Sequence, residues 1–153
     1  MLYFSSLVIV TILAACKKDN TTPTPVPLTR TQVLVKYTWE PSEIWRNIGG
    51  VNTHYIRGGE NTTGTNYDVL RLSFKSDLTG TYVDETGLSH TATWQFTSAD
   101  EHNMSFTIGA PSAQTFIWSL VEISDTTFTS SSPGGSANLL SARYVPVGLS
   151  GNQ

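Results

Sequence analysis

From Val33 onward, apolar and polar residues alternate with a period of two, the mark of half-buried strands rather than of helices. In residues 69–75, Leu70, Leu72 and Phe74 fall on one face and Arg71, Ser73 and Lys75 on the other. Ser76-Asp77-Leu78-Thr79-Gly80 reads as a turn, residues 81–84 as the returning strand and Glu85-Thr86-Gly87 as the next turn. Residues 90–96 set Ala92, Trp94 and Phe96 on one side, and residues 104–108 turn Met104, Phe106 and Ile108 inward. Strands over 114–123, 126–130 and 138–145 follow, with a tight turn at Ser124-Asp125 and a loop over 131–135. On 114–123 both faces carry apolar residues, Phe116, Trp118 and Leu120 against Ile117, Val121 and Ile123. Such a strand is covered on its outer side or exposes a contact patch.

The N-terminal third is less regular. Residues 39–48 read as a long first strand, with Pro41 confining it to an edge or a bulge. A short apolar patch at Val51–Ile56 is followed by a Gly/Thr/Asn-rich stretch over 57–64, a candidate mobile lid or a plain surface loop. The one helical candidate is a turn or two over 29–36, capped by Thr29 or Thr31. Short connections leave no room for crossover helices, so a parallel sheet is excluded. The expected fold is all-β, an antiparallel up-and-down barrel, with a β-sandwich as the alternative.

Charged residues are only 14% of the 153, and nine Lys and Arg against twelve Asp and Glu leave a net charge of −3. So few cations cannot build a basic face, which speaks against a nucleic-acid partner. Four Trp, six Tyr and six Phe supply material for a folded core.

The first residues carry an address. The run from Leu2 to Leu13 is apolar except for Ser5, Ser6 and Thr11. It is too short for a mature helix across a ~30 Å hydrocarbon core and suits the centre of a signal peptide. No Lys or Arg precedes it, so the usual basic n-region is missing or lies upstream of Met1. Leu13-Ala14-Ala15-Cys16, followed by Lys17-Lys18-Asp19, resembles the lipobox of bacterial lipoproteins and their Bacteroidetes members in particular. That resemblance implies a lipidated Cys16, an outer-membrane anchor and either periplasmic or surface exposure. Cys16 is the single cysteine, which excludes disulfides, Cys-based zinc sites and thiol catalysis downstream of it. Two or three acyl chains, at ~0.8 kcal/mol per buried methylene, anchor a chain stably where one does not. The expected organisation is a signal peptide over 1–15, lipidated Cys and Pro/Thr-rich tether over 16–32, a barrel over 33–147 and a tail over 148–153. Pro23, Pro25 and Pro27 favour an extended tether.

A helical lead-in, a Trp-bearing first strand, Leu-x-Phe-x-x-Asp-x-x-Gly and then Trp-x-Phe together resemble the lipocalin-like lipoproteins of Bacteroidetes. The residues concerned are Trp39, Leu72, Phe74, Asp77, Gly80, Trp94 and Phe96. Tyr37 stands where the lipocalin Gly-x-Trp mark has its glycine. The resemblance implies a barrel of about eight strands with an apolar interior.

Candidate chemistry is sparse. His54, His90 and His102 lie far apart without metal-ligand spacing, and no Gly-x-Ser-x-Gly occurs. The pairs Asp84-Glu85 and Asp100-Glu101 fall in expected turns, where adjacent side chains do not converge. Neither an enzymatic role nor a cofactor is expected. Asp125-Thr126-Thr127 resembles a short O-glycosylation sequon of exported Bacteroidetes proteins. The aromatic set remains: Trp39, Trp94, Phe96, Phe106, Phe116, Trp118 and Tyr144 are the candidate ligand-binding residues. They either line a cavity for a small hydrophobic or amphipathic ligand or fill a narrow barrel. In the second case the protein is an interaction lipoprotein of an envelope or glycan-uptake assembly. Its expected contact surface is Trp45, Tyr55 and the 57–64 loop.

Overall fold

The computed structural model describes residues 26–110, 113–134 and 138–149. Cys16, the apolar run before it and the tether as far as residue 25 lie outside the described residues. Among those described, no helix is long and apolar enough to cross a membrane. The order of elements is α1 (Arg30–Lys36), β1 (Thr38–Ile48), β2 (Val51–Ile56), β3 (Arg71–Phe74), β4 (Thr79–Val83), β5 (Ser89–Phe96), β6 (Met104–Ile108), β7 (Gln114–Ser124), β8 (Thr127–Gly134) and β9 (Asn138–Pro146).

Helix α1 starts where its capping chemistry dictates. The Thr29 hydroxyl accepts from the Gln32 amide at 3.2 Å, and the Gln32 side chain accepts from the Thr29 amide at 2.8 Å. This reciprocal box satisfies two of the orphan donors of a helix start. At the other end the Trp39 indole donates to the Leu34 carbonyl at 2.9 Å, occupying an acceptor the short helix leaves open. Val33 and Leu34 are buried, so α1 acts as a plug at one end of the sheet.

Every sequential strand pair from β3 to β9 is antiparallel, and β9 returns to pair with β1. That last ladder removes the free edges and makes a closed eight-stranded barrel, not a sandwich. β2 is an additional strand. The first residues of β1, Thr38 and Trp39, pair with β3, while Glu43 to Ile48 pair with β2 on the same side. The four-residue β3 is too short to cover the whole of β1, and the β2 hairpin takes the remainder. The β1–β9 register shifts between Pro41 and Glu43, where proline has no N–H to give the ladder, so the expected bulge is present.

Two expectations about the wall are corrected. Leu120 does not continue the inward face of Phe116 and Trp118. It has φ +51°, is 71% exposed and sits in the β7–β8 register shift, and Val121 takes the interior place. An extra residue in one strand reverses the phase of everything after it. The loop expected over 131–135 mostly belongs to β8, which runs to Gly134. The stretch after β2, expected as a lid or a surface loop, lies on the surface and folds back along that strand. The Thr62 amide donates to the His54 carbonyl at 2.8 Å, the Ile56 amide to the Glu60 carbonyl at 2.7 Å, and Tyr55 and Asn61 form a bridge.

The end plugged by α1 is densely packed. Phe128 and Phe74 meet edge to face at 5.9 Å, Trp39 meets Phe128 at 5.9 Å, and Phe74 meets Trp94 at 5.6 Å and Phe106 at 5.8 Å. These are the separations aromatic pairs favour. Leu34, Leu72 and Met104 fill the spaces between the rings.

Candidate functional site

Strand alternation that fills one end of the barrel leaves space at the other. The cavity there has a volume of about 440 Å³. Its inner surface is Phe106, Phe116 and Trp118 from β6 and β7, Leu140, Ala142 and Tyr144 from β9, Ile44 from β1 and Leu72 from β3. Trp118 stacks on Phe106 at 5.1 Å with 9° between the planes, and Phe128 lies beneath at 5.7 Å from Trp118. Towards the open end the lining turns polar, with Arg46, Thr65, Tyr67, Tyr82, Glu85 and Gln114. An apolar interior with a few polar groups at the rim is the general form of a small-molecule site.

Of the seven aromatic candidates, Phe106, Phe116, Trp118 and Tyr144 are brought together around this cavity. Trp39, Trp94 and Phe96 are not among its lining residues. Trp39 belongs to the plugged end, beside Leu34. Trp94 donates its indole N–H to the Lys75 and Thr79 carbonyls, both at 3.1 Å, and so locks the β3–β4 turn. Phe96 packs edge to face on Trp94 at 5.7 Å. The interior is therefore filled over one half and hollow over the other.

The segment after β2 reaches the cavity through Thr65, Tyr67 and Leu70, and an ionic cluster holds it there. Glu40, 3% exposed, accepts from Arg71 at 2.8 Å and faces Arg57 at 3.6 Å. Arg57 also donates to the carbonyls of Pro41 at 2.8 Å, Asp68 at 3.0 Å and Tyr67 at 3.3 Å. The Tyr55 hydroxyl donates to Asp68 at 2.6 Å. Burial, followed by this hydrogen bond, pushes the Tyr55 phenol far above its usual value. Tyr55 pairs across with inward-facing Ile44 and is buried, so it does not belong to the outer contact surface expected for it. Trp45, one residue out of phase, is 48% exposed and stacks on His54 at 3.5 Å.

Arg46 is the cation of the cavity. It shares the inward phase of Ile44 and donates to the Tyr67 hydroxyl at 3.1 Å. Two other phenols of the lining are shifted upward. Burial, then the carboxylates of Glu85 and Asp84, raises Tyr82, and burial raises Tyr144. The Tyr82 hydroxyl donates weakly to Glu85 at 3.5 Å. Each histidine meets its own carboxylate outside the cavity: His54 with Glu43 at 2.9 Å, His90 with Asp84 at 2.8 Å, and His102 with Glu122 at 3.0 Å. Among the described residues, no three His, Cys, Asp or Glu side chains gather as a metal site.

Sequence reading alone missed Arg46, Tyr67 and Tyr82. A signal for Arg46 existed, since it interrupts the apolar face Ile44-x-Arg46-x-Ile48 with a charge. Tyr67 lies in an irregular segment where no periodicity points inward. Compared with known protein families, curated proteins and solved structures, the chain finds no match.

Proposed function

We propose that this protein is a carrier: a lipocalin-like barrel tethered through a lipidated Cys16 to the bacterial outer membrane, holding one small hydrophobic or amphipathic ligand. The observation that carries this reading is the aromatic-lined cavity of about 440 Å³ inside a barrel plugged at the far end. That volume falls within the roughly 300–1,000 Å³ typical of ligand sites. The role we assign is storage or transfer, since aromatic and aliphatic side chains make up the inner part of the lining. The Leu13-Ala14-Ala15-Cys16 motif supports the anchor, and the Pro-rich tether would hold the barrel clear of the bilayer.

Native mass spectrometry of the full chain from a lipoprotein-processing bacterial host tests both halves. The covalent mass is expected to begin at Cys16 with added acyl chains, and a non-covalent adduct is expected on the barrel. Ala142→Phe, which puts a ring into the cavity, is expected to abolish the adduct. A folded protein that never carries a ligand, even with apolar probes added, would refute the carrier reading. It would direct attention to outer-surface residues such as Ile117 and Leu120, both exposed.

A further inference from the structure

We propose that Arg46 and Tyr67 form a head-group site, so that the ligand class is the anionic amphiphile, an oxyanion such as a carboxylate on an apolar tail. This rests on the carrier reading above and specifies what the carrier would select.

The first ground is placement. A guanidinium in the inward phase of a barrel wall loses hydration, and such charges are ordinarily paired. Arg57 and Arg71, which are also partly buried, obey that rule by sharing Glu40. Arg46 does not. Among the described residues it meets no carboxylate, and its one side-chain hydrogen bond goes to the Tyr67 hydroxyl at 3.1 Å. The structure thus holds a half-buried cation that faces a cavity with no carboxylate in contact with it among the described residues.

The second ground is the inventory of donors. Guanidinium carries five N–H groups and accepts nothing, so most of its donors remain available. The Tyr67 oxygen accepts from Arg46, which leaves its own proton to be given away. Both groups therefore present donors to the same space. The partner that satisfies donors alone is an acceptor-only group, and a carboxylate offers a fork geometry that matches guanidinium. The Arg57 contacts to the Tyr67 and Asp68 carbonyls fix the segment that carries Tyr67, so the pair is preorganised. Below the pair, Phe106, Phe116 and Trp118 supply an apolar bed for a tail. Glu85 also lines the opening, and its charge disfavours an anion on its side, which leaves the Arg46 side for the head group.

The test compares two probes that share a tail, decanoate and decanol, by calorimetric titration of the full chain and of its Arg46→Met, Arg46→Lys and Tyr67→Phe variants. Circular dichroism checks the fold of each variant. The parent is expected to bind decanoate more tightly than decanol. Arg46→Met should weaken decanoate about 10–100-fold, as loss of a charged hydrogen bond implies, and leave decanol within about twofold. Arg46→Lys should keep the preference for decanoate in reduced form, and Tyr67→Phe should lose part of it. If Arg46→Met does not fold, the Arg46→Lys and Tyr67→Phe comparison decides. Equal binding of both probes by the parent, or variants that leave decanoate affinity unchanged, would overturn the head-group site while the carrier reading stands. Binding of neither probe would overturn both.

Discussion

Glu40 is the residue whose removal should tell most about how the cavity is held together. It is 3% exposed and serves two arginines, Arg71 at 2.8 Å and Arg57 at 3.6 Å. Breaking a buried pair by deleting one partner costs about 3–5 kcal/mol, because the remaining charge is left in a poorly solvating site. Here the stranded side chains are 28% and 15% exposed and keep carbonyl acceptors at Pro41, Tyr67, Asp68 and Leu70. That places Glu40→Ala at the lower end, about 3 kcal/mol. For a domain of this size each kcal/mol moves Tm by about 3–6 °C, so a fall of roughly 9–18 °C is expected in a thermal melt. Glu40→Gln, which keeps the shape and an acceptor but not the charge, should lose less. Hydrogen exchange should show where the loss falls, with amides of 57–70 deprotected ahead of those of β5 and β6. A Glu40→Ala protein that melts with the parent, and exchanges no faster over 57–70, would refute the claim that this ion cluster pins the wall of the cavity.

Two further outcomes follow from local geometry. A Cβ on Gly80 would stand 2.3 Å from the Ser73 carbonyl oxygen, a backbone atom that cannot swing away. Gly80→Ala should therefore cost about 1–3 kcal/mol by chemical denaturation, with the β3–β4 ladder the first to open. The Asp84 carboxyl is held far below its ordinary range, first by the Thr86 hydroxyl and then by His90 and the Leu88 and Thr86 amides. Its contribution to stability is fully present above its unfolded value near about pH 4 and is lost only as pH falls through the lower folded value. In an NMR titration it should still be ionised at about pH 3, and Asp84→Asn should flatten that part of the acid-unfolding curve.

The barrel could be read from the sequence because its strands obey a local rule. Alternation placed Leu70, Leu72 and Phe74 inside, as it did Met104, Phe106 and Ile108, and all six are buried. The Leu-x-Phe-x-x-Asp-x-x-Gly motif is explained by packing. Leu72 and Phe74 enter the core, Asp77 accepts from the Thr79 amide at 3.0 Å and hydroxyl at 2.6 Å, and Gly80 permits the close approach to Ser73. Thr29 announced the helix start in the same way. Periodicity failed where a single residue changes phase: alternation groups Leu120 with Phe116 and Trp118, yet Leu120 is exposed and Val121 is buried. It failed again at the site, because an aromatic that fills and an aromatic that lines have the same pattern. Trp94 and Trp118 differ only in how far along the barrel they stand. Glu40 and Arg46 are charges on opposite faces of β1, and Arg57 and Tyr67, which they meet, come from a segment of no regular period.

The ladder between β1 and β9 also sets how the chain must fold. It joins Trp39 to Pro146, across almost the whole described sequence, whereas the other pairs join consecutive strands, except β1 with β3 across the β2 hairpin. The entropy of closing so long a loop must be met before that ladder contributes, which places folding among the slower, high-contact-order class of roughly milliseconds to seconds. Until β9 arrives, β1 and β8 are unpaired edges, open to strands of neighbouring copies. A chain truncated before β9 should accordingly assemble with itself rather than remain a soluble partial barrel. Completion of the last strand is what converts an adhesive ribbon into a closed wall.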